Sequence, residues 1–143
     1  MTSVSEHQRK IKEHLQEIKD ALDEGLEHKP VTLGFHTSAC ATELLELYLH
    51  KLNLISLGKT IKHNWFEKPK LEQKILPIIE RKLPVSFPDK DKIYHLIYTI
   101  EEHRDNLIYG KNSPVLTQVI VKNFMELKEL LEKKLKELGE DIE

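Results

Sequence analysis

The chain has 143 residues, 39% hydrophobic, 32% charged and 6% aromatic, with a formal net charge of −2. One domain spanning residues 1–143 is expected, because a chain of this length buries roughly 70% of its unfolded surface and builds a core without staples. A single cysteine, Cys40, excludes an intrachain disulfide and a Cys-rich zinc site, and five glycines and six prolines exclude collagen-like or low-complexity sequence.

Val4, Ile11, Leu15, Ile18, Leu22 and Leu26 recur at helical spacing between charged residues. They predict an amphipathic helix over Ser3–Leu26, with Ser3 and Glu6 as a capping box and Pro30 closing the segment. From Thr32 to Ile55 apolar residues cover most of a helix's circumference, so this helix is expected to be central or to bury a second face in a partner. Its small run Ser38-Ala39-Cys40-Ala41 would let another helix come close.

Residues 56–88 contain Gly58, Pro69, Pro77, Pro84 and Pro88 and read as the long connection of the fold. A short helix is predicted over Pro69–Lys82, with a kink or break at Pro77. Residues 56–92 carry nine basic and five acidic groups, the one segment with positive charge. Lys59, Lys62, His63, Trp65, Phe66, Lys68 and Lys70 interleave cations with rings, a pattern that suits single-stranded nucleic acid; the plainer reading is rings closing one end of a bundle with the lysines in water.

A third long helix is predicted over Asp89–Tyr109, with Ile93, Leu96, Ile97, Ile100, Leu107 and Ile108 as its core stripe. A fourth begins at Ser113-Pro114 as cap and first residue and runs to Gly139. No strand-like alternation competes, so the fold class is all-α: four long helices with one long connection between the second and third.

Arg104 falls inside the apolar arc of the third long helix. A buried guanidinium needs a partner or a wet groove, so it is expected to pair with an acid or to face a groove, where it would suit phosphate. Around it reads Glu102-His103-Arg104-Asp105-Asn106-Leu107-Ile108-Tyr109-Gly110. This resembles the HEPN superfamily of small helical bundles, whose signature is an Arg, often followed by Asn or Asp, with a His four to six residues further on. Arg104 matches the Arg and Asp105 the polar neighbour, while Tyr109 stands where the nearest-spaced His is expected.

The resemblance implies a four-helix up-and-down bundle whose long connection holds a short helix. In active members it implies metal-independent RNA cleavage, with the His as base and the Arg on the phosphate. A tyrosine titrates near about pH 10 and is a poor base at neutrality. The expectation is therefore a nucleotide- or RNA-binding module without efficient catalysis, with a small nucleotidyltransferase as the partner the resemblance suggests. Arg104, Tyr109, Asp105 and Asn106 would form the motif site, and Lys59, Lys62, Lys68 and Lys70 the phosphate contacts. The first alternative is a toxin-like endoribonuclease using Arg104 with another base, for which His36, His63, His95 and His103 are the histidines to weigh. The second is a structural or adaptor bundle.

No cofactor or metal is expected. No histidine has Glu three residues before it, so the Glu-x-x-His pairs of di-iron bundles are missing; Glu46 and His50, four apart, could touch a metal, but a single such pair is usually a surface contact. Tyr94, Tyr98, Glu101, Asp105 and Tyr109 lie on one face of the third long helix, which points to a two-fold homodimer there. No apolar run reaches about 18 residues and Met1–Lys12 has no apolar signal core, so a cytoplasmic chain that does not cross a membrane is expected.

Overall fold

The computed structural model describes residues 4–56, 59–68, 75–110 and 113–140, and these are helical with no strand among them. Helix α1 is Val4–Glu24, α2 Pro30–Lys51, α3 Ile78–Lys82, α4 Lys90–Tyr109 and α5 Pro114–Glu137, with a 3₁₀ turn at His63–Phe66.

The long helices form where the apolar spacing predicts them, and local chemistry trims their ends. Helix α1 buries His7, Ile11, Ile18 and Ala21 on one stripe and stops before Gly25, whose φ of 110° suits a residue without a side chain. Pro30 opens α2 as well as closing the turn before it, since a proline in the first turn forfeits no intrahelical hydrogen bond. The Ser113 side chain accepts a hydrogen bond from Val115 N at 3.2 Å at the start of α5. The Ser3 cap expected for α1 lies outside the described residues.

Helix α2 is the common partner of the other long helices. It packs against α1, α4 and α5, and α4 packs against α5. Leu33, Cys40, Leu44, Leu45, Leu47 and Leu49 are fully buried, which is why apolar residues surround this helix on nearly all sides. Helix α2 comes close to α4 at Gly34, where an added Cβ would lie 3.0 Å from Leu107 Cβ and 3.3 Å from Ile108 Cγ1. In the small run that follows, Cys40 and Ala41 are fully buried in the core, and Ser38 and Ala39 line a cavity.

The connection departs from expectation. Its α-helix is only five residues long and starts directly after Pro77, which fixes an extended backbone at the N-cap instead of kinking a longer helix. Residues 69–74 of the expected helix lie outside the described residues. The connection also supplies the 3₁₀ turn, anchored by Phe66, whose ring meets Tyr94 and Tyr98 edge-on with centroids 5.2 and 5.4 Å away. Phe87 covers Tyr94 from the other side at 5.7 Å. Tyr94 is thus buried and Tyr98 half-buried against Phe66 within the chain, while Tyr109 of that stripe is open, at 80% exposure. Among the described residues no helix is long and apolar enough to cross a membrane.

Candidate functional site

Arg104 lies one turn after Ile100 and three residues before Leu107, both buried, so its stem is held in the α4 packing face. Its side chain is only 12% exposed. Nη1 donates to Asp105 Oδ1 at 3.1 Å, while Nε is buried without a hydrogen-bond partner. The guanidinium lines a cavity of about 270 Å³ with Phe35, Ser38, Ala39 and Thr42 of α2 and Ile61, Lys62, His63 and Asn64 of the connection. Among the described residues, the lining brings together an arginine, a lysine and a histidine with no carboxylate.

The connection reaches this cavity because it is tied down on both sides. Phe66 is buried against α4, and Ile61 N donates to the Glu46 carboxylate of α2. Lys59 Nζ sits 5.8 Å from the centre of the Trp65 ring, a cation–π contact that occupies both residues. Between these anchors His63 Nδ1 lies 2.9 Å from Glu101 Oε1 and 3.1 Å from Oε2. Burial pushes the Glu101 carboxyl above its ordinary pKa, and His63 beside it, then Arg104, oppose that shift. A carboxylate against Nδ1 favours the tautomer that carries its proton on that nitrogen.

The other sequence-predicted residues are dispersed. Asp105 pairs with Arg104 and lines a second cavity of about 270 Å³ together with Lys68, Glu101 and Glu102. Lys62 borders the first cavity, and Lys70 lies outside the described residues. Asn106 and Tyr109 are exposed, and neither lines the two cavities. The basic residue nearest the function expected of Tyr109 is therefore His63. No local pattern links it to Glu101, 38 positions away.

A second polar cluster is buried between α1 and α2. Glu43, Glu46 and His50, spaced three and four residues apart, share one face of α2, and His7 meets them from α1. The Glu46–His50 pair, expected at the surface, is buried, at 4% and 6% exposure, and His7 at 0%. His7 Nδ1 lies 2.6 Å from Glu43 Oε2 and 3.6 Å from Glu46 Oε2. Burial pushes the Glu46 carboxyl up to about 7, although the Ile61 N–H on its oxygen works the other way. Burial also lowers the pKa of His50, against the hydrogen bond of its Nδ1 to Ile55 O at 3.3 Å. The Glu43, Glu46 and His50 spacing on α2 is local in the sequence; His7 joins them only through the docking of α1 on α2.

No protein-family model matches the chain, and neither a curated protein nor a solved structure does.

Proposed function

We propose that the chain is a HEPN-like RNA- or nucleotide-binding module whose phosphate site is the Arg104 cavity. The observation that carries this reading is Arg104 itself: its side chain is nearly buried, its Nη1 donates to Asp105 while its Nε has no partner among the described residues, and the cavity it lines holds Lys62 and His63 and, among the described residues, no carboxylate. A fixed planar donor of this kind suits a phosphate better than a flexible surface cation does. Four long helices with the connection between the second and third support the finer fold reading, a HEPN-like up-and-down bundle.

The test is binding of a fluorescent single-stranded RNA by anisotropy in EDTA at low salt. Arg104→Gln should weaken binding by about tenfold, the scale of one charge-assisted contact. Reversing Lys59, Lys62 and Lys68 should weaken it similarly for all sequences and flatten its salt dependence. RNA and nucleotide affinity that ignores Arg104 and all three lysines sinks the reading and leaves the adaptor alternative.

The His63–Glu101 pair favours a second reading, a metal-independent endoribonuclease. An imidazole with one nitrogen held by a carboxylate is the arrangement of a general base, and Arg104 in the same cavity would meet the charge developing on the phosphate. RNA cleavage in EDTA, abolished by both His63→Ala and Arg104→Gln, would establish it over the binding module.

A further inference from the structure

We propose that His7, Glu46 and His50 form a binding site for a divalent transition metal of the zinc class, seated between α1 and α2. One donor atom from each of the three lies within 4.8 Å of a donor atom from the others, and all three side chains are more than nine-tenths buried. A tetrahedral site with bonds near about 2 Å places its donors about 3.3 Å apart, so side-chain rotations of roughly an ångström complete it.

The decisive feature is how the free atoms are left. The Nε2 atoms of both His7 and His50 are buried and have no hydrogen-bond partner among the described residues. Two unsatisfied imidazole nitrogens in one small region are costly unless something occupies them. Each ring is meanwhile held by its other nitrogen, His7 Nδ1 by Glu43 and His50 Nδ1 by the Ile55 carbonyl. Metal-ligating histidines are oriented in this way, with Nδ1–H donated to a carboxylate or backbone carbonyl and Nε2 free for the ion. Glu46 is oriented too, because one of its oxygens accepts from Ile61 N. Two imidazoles and a carboxylate suit zinc, cobalt and nickel better than magnesium or calcium, which take oxygen ligands. His50 also borders an open depression of about 450 Å³ with Val4, Asn53 and Ser56, which brings solvent to one side of its ring.

This site is separate from the Arg104 cavity, and its test is independent of RNA. The metal-stripped full-length chain is titrated with Zn²⁺ in competition with a chromogenic chelator, and with Co²⁺ while its visible spectrum is followed. The expected result is one equivalent bound, with a Kd of about a micromolar or tighter, a raised Tm, and the intense Co²⁺ bands of a tetrahedral site. His7→Gln and His50→Gln should each weaken binding at least about tenfold. The half-buried pair His14 and His36 is the competing pair of imidazoles, and His14→Gln with His36→Gln should leave the affinity unchanged. Failure of the wild-type chain to bind either ion overturns the proposal, as does binding that is lost in the His14 and His36 variants instead. Should His7→Gln not fold, Glu46→Gln, which keeps the shape of its side chain, must lose the tetrahedral Co²⁺ spectrum while circular dichroism shows the helices intact.

Discussion

His63 Nδ1 rests 2.9 Å from Glu101 Oε1, so a residue of the connection is fastened to the middle of α4 beside the cavity that Arg104 lines. The carboxylate sets the tautomer and limits the ring's rotation. Glu101→Gln preserves the shape and removes the charge. On the endoribonuclease reading it should reduce RNA cleavage by about tenfold or more with little change in RNA affinity. Single-turnover rates beside anisotropy measure the two separately, and equal losses in both would show that Glu101 only supports the local fold.

Gly34 governs the spacing of α2 and α4 directly under Arg104, whose carbonyl oxygen would be 3.5 Å from an added Cβ. Alanine at this position gains up to about 1 kcal/mol in helix propensity. That gain is opposed by contact at 3.0 Å with Leu107 Cβ, an atom fixed to the α4 backbone that yields only if the helix moves. Overpacking typically costs 1–3 kcal/mol, so Gly34→Ala should leave the protein about 1 kcal/mol less stable in urea unfolding. A stabilised variant would mean that the two helices separate freely at this point.

Periodicity in the sequence was sufficient for the four long helices, because their stripes at Ile11 and Ile18, Leu44 and Leu45, Ile93 and Ile100, and Leu127 and Leu131 are the core itself. Arg104 was visible for the same reason, as a charge where a stripe demands an apolar group. The partners of these helices were not visible. Whether Tyr94 and Tyr98 meet another subunit or Phe66 depends on where the connection folds back, and no local spacing encodes that. The Glu46–His50 pair looked like a surface pair because α2 is apolar all round and gives no clue to which of its faces α1 covers. The polar groups that matter most, His63 with Glu101 and His7 with Glu43, are 38 and 36 residues apart.

Phe66 is 1% exposed and holds the 3₁₀ turn against Tyr94 and Tyr98. Its replacement by alanine removes a whole ring from a dry contact, and should cost on the order of 3–4 kcal/mol by chemical denaturation. Because His63 rides on the same turn, hydrogen exchange of the amides at 61–67 should speed up more than that of the α2 core. Loss spread evenly over the whole chain would show that the connection is no separate unit.

The pH dependence of folding should carry the mark of His14. Its Nδ1 faces His36 Nδ1 at 2.9 Å, a distance at which one nitrogen donates and the other must be unprotonated. Burial lowers the pKa of His14 and His36 lowers it further; Lys10 acts in the same direction, while Glu43 and Glu13 oppose it. In the unfolded chain the ring returns to its ordinary value of 6.5. Between that value and the lower folded one, the unfolded state binds more protons than the native state. The His14 contribution to stability therefore rises with pH across the window and is lost as pH falls from 6.5 through the folded pKa. His50, also lowered by burial, adds a slope of the same sign, while Glu46, pushed by burial up to about 7, and Glu101, raised likewise, add slopes of the opposite sign, so the whole effect does not belong to one residue. Urea unfolding of the wild type and of His14→Gln at several values between about pH 5 and pH 7 separates them. The variant should lose less stability on acidification than the wild type does, with the two curves converging in slope above the window. Parallel curves throughout would mean that His14 titrates alike in both states, and that the short contact with His36 is open to a second proton.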